Sequence, residues 1–378
     1  MTCYVQPELK QAIDQAARND TLAACCLVFV SQLYIKAAEK DGTDRFAPLH
    51  SRLSRRIYTT RFYGRMISLL RTLSAIELYD GGSYEPGKVC KRYRLSPRFC
   101  ADVQVCSVIC PKLEARLDAT MTASSYAAMS GVARKWILKT FKSVAFTPAL
   151  AGLLQRHPFK TDESRVCIQH HVENIVAGRL RFKVCPKSGR VYYPIANLPK
   201  AFRAELLIDR DPVVEIDISA SQPTLLATLY PDNCPEKSEF LAFVQGGRFY
   251  ETIAAWANRG WSRDEAKTEF FNQIAFGSYY CAKKYELLVP FKARFPMLAT
   301  GMARIKRLGN AVLPLRMQKL EASITVDGAC GECAKRKIKV LPVHDSLICR
   351  KADAELVAKI FSSHWQKRTK IPARMKIS

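Results

Sequence analysis

The sequence predicts an α+β protein in which a mostly helical N-terminal part precedes an antiparallel sheet interrupted by helices. Three observations predict it. Apolar residues recur at three- and four-residue steps through Leu9–Ala17 and Leu22–Ala38, the spacing of amphipathic helices. An apolar, β-branched run, Val214-Glu215-Ile216-Asp217-Ile218, leads into a Ser219–Pro223 turn, as a buried strand does. Far down the chain, Val340-Leu341-Pro342-Val343 and Leu347-Ile348 flank His344-Asp345-Ser346, the pattern of a β-hairpin with a polar tip.

The elements follow in order. Between Arg52 and Arg71 stand Arg55, Arg56, Arg61 and Arg65, with no acidic residue among them and with Tyr58, Phe62 and Tyr63 interleaved. Arg52 and Arg56 share a helix face, as do Arg61 and Arg65. A solvated face is the plain alternative, but such faces mix signs; the single-sign row reads as a contact with a phosphate backbone. Gly81-Gly82 and Pro86-Gly87 mark a loop, and His157-Pro158 with Thr161-Asp162 a boundary. Residues 179–193 read as strand, turn and strand, with Pro186–Gly189 at the turn. Lys200–Leu207 reads as helical, as do Thr224–Tyr230, Phe240–Phe243, Tyr250–Trp256 and Ser262–Phe276, with Ser262 as N-cap before Asp264 and Glu265. Pro314–Ser323 reads as a helix carrying Arg316, Gln318 and Glu321, and 327–337 as a loop entering the last hairpin.

Composition bounds the partner. The 378 residues are 48% hydrophobic and 25% charged, an ordinary globular balance. Lys+Arg 59 against Asp+Glu 34 gives a formal charge of +25, which favours a polyanion, nucleic acid first. An anionic membrane surface is the alternative, without a lipidation motif or basic amphipathic anchor to support it. Leu22–Ile35 is broken by Ser31 and Gln32 and falls below the ~20 residues that span a bilayer. Glu8 and Asp14 precede it, unlike a signal peptide, so a cytoplasmic or nucleoid-associated protein is expected. The 14 cysteines read as buried free thiols. Cys330-Gly-Glu-Cys333 lacks a second pair, and Cys90, Cys100, Cys106 and Cys110 are irregularly spaced with no histidine close by.

One aspartate at a strand end is usually a turn-former or an N-cap. Two acidic strand ends on one sheet, Asp217 and Asp345, would make a two-metal site for phosphoryl or nucleotidyl transfer. Arg263 and Lys267 stand at i and i+4, with Phe271 one step further. That face is either an amphipathic helix with cations beside an aromatic edge or a clamp for a triphosphate.

The order of these features resembles the polymerase motifs shared by family A DNA polymerases and the phage-type single-subunit RNA polymerases. Asp217-Ile218-Ser219, with Gln222 and Leu225-Leu226-Ala227, resembles motif A. Arg263-x-x-x-Lys267-x-x-x-Phe271 with Phe276-Gly277 resembles motif B, and Val343-His344-Asp345-Ser346 motif C. Ser188-Gly189-Arg190-Val191-Tyr192 with Asn197-Leu198-Pro199 is similar to the segment before motif A, Gly247–Tyr250 to the helix entering the fingers, and Met317-Gln318 to the template-contacting element before motif C. The match covers roughly residues 180–378. The spacing from Lys267 to the aromatic-Gly pair is one residue longer than the family's, so Phe276 or Ala275 could inspect the incoming sugar.

The resemblance implies a compact, divergent right-hand polymerase without an exonuclease domain. Its parts would be a helical, thumb-like 1–160, a palm over 161–235 and 313–378, and fingers over 236–312. It implies two Mg²⁺ (Mn²⁺ as substitute) on Asp217, Asp345 and the Ile218 carbonyl. Arg263 and Lys267 would meet the triphosphate, with Lys267 as a proton donor, and Phe271, Gln222 and Phe276 would surround the nucleotide. Arg190, Gln318 and His344 would contact the primer–template, with Arg52, Arg56, Arg61 and Arg65 along phosphates. The implied activity is primer extension by a monomer. Gln222, bulky where the RNA enzymes carry glycine, and Phe276, without a tyrosine's hydroxyl, favour deoxynucleotides. Ser346 and Gly189–Tyr192 look more like the RNA enzymes, so an RNA polymerase or primase-like enzyme is the first alternative. A catalytically idle nucleic-acid-binding protein is the second.

Overall fold

A computed structural model describes residues 1–38, 45–49, 51–79, 90–128, 131–179 and 182–378; the glycine-rich loop expected at 81–87, and Leu180 and Arg181 of the expected strand, lie outside them. The chain forms two compact units. The first comprises Met1–Ala128, Pro148–Phe182 and Asn197–Pro199. Its centre is the helix Asp20–Ala38, which buries Cys25, Cys26, Phe29, Val30 and Leu33. A helix apolar on every side belongs inside a core. At 19 residues it runs beyond the Leu22–Ile35 stretch and is long and apolar enough to cross a membrane, yet most of it is buried inside the protein.

The N-terminal part is mostly helical, as expected, but the expectation missed two small sheets. Ala47–Leu49, Lys91–Leu95 and Ile76–Leu78 form a three-stranded antiparallel sheet, and Thr2–Val5 pairs with Gln104–Ser107. Lys91–Leu95 explains the error: it alternates, with Tyr93 and Leu95 inward, over only five residues. The arginine-rich helix, Ser51–Thr72, kinks at Thr59, whose φ is +58°. Arg52, Arg55, Arg56, Arg61, Arg65 and Arg71 are exposed and make no ion pair among the described residues. Tyr58, interleaved with them in the sequence, is buried, its hydroxyl donating to Gln32 Oε1 at 3.0 Å.

The second unit comprises Met129–Thr147, Lys183–Ala196 and Lys200–Ser378. The segment 129–147 belongs here because α1 (Val132–Phe141) fixes Trp136 Nε1 to the Ile338 carbonyl at 2.6 Å, and β1 (Val144–Phe146) joins the main sheet. That sheet is antiparallel. Its strands are β1, β2 (Leu206–Ile208), β3 (Asp211–Ile218), and, from the C-terminal part, β4 (Val340–Val343) and β5 (Ser346–Arg350), in the order β4-β5-β3-β2-β1. The last strand, β6 (Met375–Ile377), pairs with β3 at Ile216–Ile218.

Local chemistry sets this pattern. The helix expected over Lys200–Leu207 stops at Arg203, because Leu206–Ile208 turns tightly into β3 through Asp209 and Arg210, both with positive φ (55° and 69°) as a two-residue hairpin demands. Pro342 is tolerated because β4 is the edge strand. The loop expected at 327–337 is helical. Helix Val312–Ala322 continues through a π-helical stretch, Ser323–Cys330, into Gly331–Lys335. Cys330 and Cys333 are buried free thiols in this run. A Cβ at Gly328 would lie 2.8 Å from His364 Nδ1, so glycine there admits the helix Ala354–Thr369.

Candidate active site

Asp217 is the penultimate residue of β3, and Asp345 occupies the tip of the β4–β5 hairpin. The register pairs Asp217 with Ser346, so Asp345, the residue before it, lies at the same end of the sheet, and its charge acts on Asp217. Burial, then Asp345 and Glu215, push the Asp217 carboxyl up to about 6, against the Ile218 N–H and Lys200. Neither aspartate has an ion pair among the described residues. A chain of charge +25 has cations to spare, yet this carboxylate pair is left without one.

Both turns that carry the site are strained. Ala220, just after Asp217-Ile218-Ser219, has φ +51°, and His344 has φ +54°. Neither is a glycine, and left-handed backbone at such residues is held in place by the surrounding fold and clusters at functional sites. His344 meets Tyr192 edge-on at 6.0 Å, and its Nδ1 is buried with no hydrogen-bond partner. Burial, then Arg190, lower its pKa. Beyond Ala220, α2 (Ser221–Leu226) carries three more buried polar atoms without a partner among the described residues, Ser221 Oγ, Gln222 Oε1 and Thr224 Oγ1.

Two acids missing from the sequence reading of the site complete its electrostatics. Glu215 lies two residues before Asp217, on the same strand face, and accepts from Arg203 Nε at 3.0 Å and from the Ser346 hydroxyl at 2.6 Å. Glu321 is 1% exposed; it pairs with Arg190 at 2.6 Å and accepts from Gln222 Nε2. Burial and Asp345 push Glu321 up to about 7, against Arg190 and Gln222. The period of two makes Glu215 legible. Glu321 follows Leu313 and Met317 at four-residue steps, so an acid on a buried helix face was its signal. Arg190 and Gln222, expected to face nucleic acid and nucleotide, are therefore held by an internal carboxylate.

The helix expected around Arg263 forms as α4 (Arg263–Glu269), preceded by α3 (Phe249–Ala257). Ser262 caps it in a capping box with Glu265. Arg263 lies 5.4 Å from the Tyr250 ring centroid and 3.4 Å from Glu251. Burial raises the Tyr250 hydroxyl, Arg263 opposes and Asp345 adds to the rise, so this tyrosine lies within the electrostatic reach of both α4 and the hairpin tip. Lys267 is exposed one turn along from Arg263 and makes no ion pair among the described residues.

After Glu269 the helix widens into a π turn, Phe270–Ala275. The π turn fits one residue more between Lys267 and Gly277 than an α-helix of the same length would. It also decides which residue is available. Ala275 is 1% exposed, while Phe276 is half-buried and stacks on Phe271 at 5.2 Å and 27°. Gly277 must be glycine, since a Cβ there would lie 2.6 Å from the Asn272 carbonyl. Gln318 is half-buried on the helix Val312–Ala322. Among the described residues no hydrogen bond or ion pair joins Lys267 or Gln318 to either aspartate.

Two carboxylates beside a backbone carbonyl fit a hard cation that completes its shell with water and phosphate oxygens, as Mg²⁺ does. Among the described residues no group of three or more His, Cys, Asp or Glu side chains could enclose a metal.

No family model matches the chain, and no curated protein matches it. Among solved structures it is similar to the POL domain of Pol1 from M. smegmatis in complex with DNA primer-template and dNTP, at 15% identity and a TM-score of 0.45. The likeness covers 70% of this chain and 65% of that one.

Proposed function

We propose that this protein is a template-directed nucleotidyltransferase that extends a primer 3′-hydroxyl with nucleoside triphosphates, deoxynucleotides being the preferred substrates. The reading is supported by the Asp217–Asp345 couple, which the β3–β5 register puts at one end of the sheet and which has no ion pair among the described residues. In this reading the main sheet is the palm, and α3, α4 and the helices that follow are the fingers. Two Mg²⁺ would be held by Asp217, Asp345 and the Ile218 carbonyl. When bound at such a site, divalent ions supply acidification of an attacking hydroxyl and neutralisation of a phosphate leaving group.

The chain's own residues do the rest. Arg263 and Lys267, exposed on one helix face, bind the triphosphate. Lys267 also holds a proton that it can give to the departing pyrophosphate oxygen. Phe271 and Phe276 offer a stacked pair of rings for the base and sugar. Gln222, fixed by Glu321, stands as the bulk that disfavours a ribose 2′-hydroxyl. Arg190, fixed by the same carboxylate, with His344 and Gln318, orients the primer terminus.

Primer extension with Mg²⁺, supplying each nucleotide pool separately, tests the reading. Wild type extends with deoxynucleotides, and Asp217→Ala and Asp345→Ala each abolish incorporation. Incorporation that survives both changes removes the catalytic assignment. Salt-sensitive binding with no extension on any template would instead make the protein a binding module.

A further inference from the structure

Within the second unit, a cavity of about 380 Å³ opens between the short helix Tyr279–Lys284, α5 (Leu288–Arg294) and α6 (Pro296–Lys306). Its lining includes Lys292, Arg304, Lys306 and Arg307 but no acidic residue. Lys292, Arg304 and Arg307 are exposed and make no ion pair among the described residues; Arg307 lies 5.0 Å from the Tyr279 ring centroid. Lys306 differs from them. It is 6% exposed, and its Nζ donates to the Ile274 carbonyl at 2.6 Å.

Cations gather at helix C-termini because the helix dipole favours them there, which accounts for Arg304 and Arg307 as surface residues. It accounts for Lys292 too, in the last turn of α5, but not for the burial of Lys306 nor for the convergence of four cations from two helices on one cavity. Burying an ammonium is costly unless an anion or several acceptors compensate it, and the desolvation lowers Lys306 to about 8. An incoming anion would supply the compensation. Paired guanidinium forks match phosphate oxygens, and the volume suits a small molecule.

We propose that this cavity is a second anion site, separate from the aspartate couple, that binds the polyphosphate group of a small ligand. The ligand is either a nucleoside triphosphate, whose base would lie against Tyr279 or Tyr285, or a free inorganic polyphosphate. The proposal does not rest on the polymerase reading.

Calorimetric titration of the full chain, in chelator and without nucleic acid, tests it with tripolyphosphate and, separately, with a nucleoside triphosphate. The double variant Arg304→Ala/Arg307→Ala, which changes two exposed side chains, should weaken tripolyphosphate binding by at least about tenfold, the scale of losing charge-assisted hydrogen bonds. Lys306→Met should weaken it as well, while Asp217→Ala should leave it unchanged. Tighter binding of the nucleoside triphosphate assigns the tyrosines to a base; equal binding assigns the site to polyphosphate alone. Absent binding in the wild type, binding indifferent to the double variant, or binding lost in Asp217→Ala but kept in the double variant would overturn the proposal. So would displacement of tripolyphosphate by single-stranded DNA at this cavity, which would make it part of a strand path.

Discussion

Phe276 donates its backbone N–H to the carbonyl of Phe271, five residues earlier, at 2.8 Å. An α-helix would place residues five apart on different faces, whereas the wider π turn returns them to one face, and here their rings stack. The π turn therefore builds a two-ring platform. Offset aromatic pairs contribute about 0.5–1.5 kcal/mol beyond their burial. If the platform receives the nucleotide, Phe271→Ala should raise KM roughly two- to tenfold with a smaller change in kcat, measured by steady-state incorporation. An unchanged KM would take the rings out of nucleotide binding.

The Asp217 couple makes a prediction about pH. Its carboxyl rises from an ordinary 3.8 to about 6 in the fold, so the folded state holds the proton more tightly. The stability this contributes is fully present below the unfolded value and lost as pH rises through about 6. Asp217→Asn should thus match the wild type near pH 4 and melt higher at about pH 8, by a few degrees, in chelator. Added Mg²⁺ should narrow that gap by raising the wild type alone. A gap that is constant across the range would mean that Asp217 bears no burden of unpaired charge.

Glu321 is also pushed up, to about 7, by burial, but unlike Asp217 it has partners, so its removal carries a cost of its own. Removing it leaves Arg190, with a side chain 17% exposed, without its carboxylate. Breaking a buried pair from one side costs about 3–5 kcal/mol, so Glu321→Ala should shift the urea midpoint clearly downward, and Glu321→Gln less. The same change frees Gln222, so discrimination between deoxy- and ribonucleotides should weaken in Glu321→Ala as in Gln222→Gly. Intact discrimination in Gln222→Gly would remove that residue from sugar choice.

These residues show what a sequence carries and what it leaves out. The Asp217 strand and the His344-Asp345 tip were legible because apolar runs flanked by polar turns leave few alternatives, and Ser262 because a capping box is a local chemical unit. What escaped was set by tertiary contact. Leu206–Ile208 became a strand because β3 lies beside it, overriding the helical pattern that begins at Lys200. The stretch after Asp327 became helix because glycine at 328 admits a neighbouring helix, where glycine otherwise reads as a loop. Glu321 escaped because its importance comes from Arg190 and Gln222, each about a hundred or more positions away in the chain.

The arginine row on Ser51–Thr72 gives the last prediction. Its side chains are exposed and have no acidic partner among the described residues, the state expected of groups that meet phosphates. Each phosphate neutralised releases counterions, so on duplex DNA every phosphate that is no longer neutralised flattens the slope of log affinity against log salt by about 0.9. Replacing Arg52, Arg56, Arg61 and Arg65 by glutamine should therefore flatten the slope by roughly one per arginine that meets a phosphate, with little dependence on sequence. Because the substitutions touch exposed positions, the melting temperature should stay within about a degree or two, separating a binding defect from a folding defect. A slope that is unaltered with all four replaced would return the row to ordinary solvation and move the nucleic-acid interface to another face.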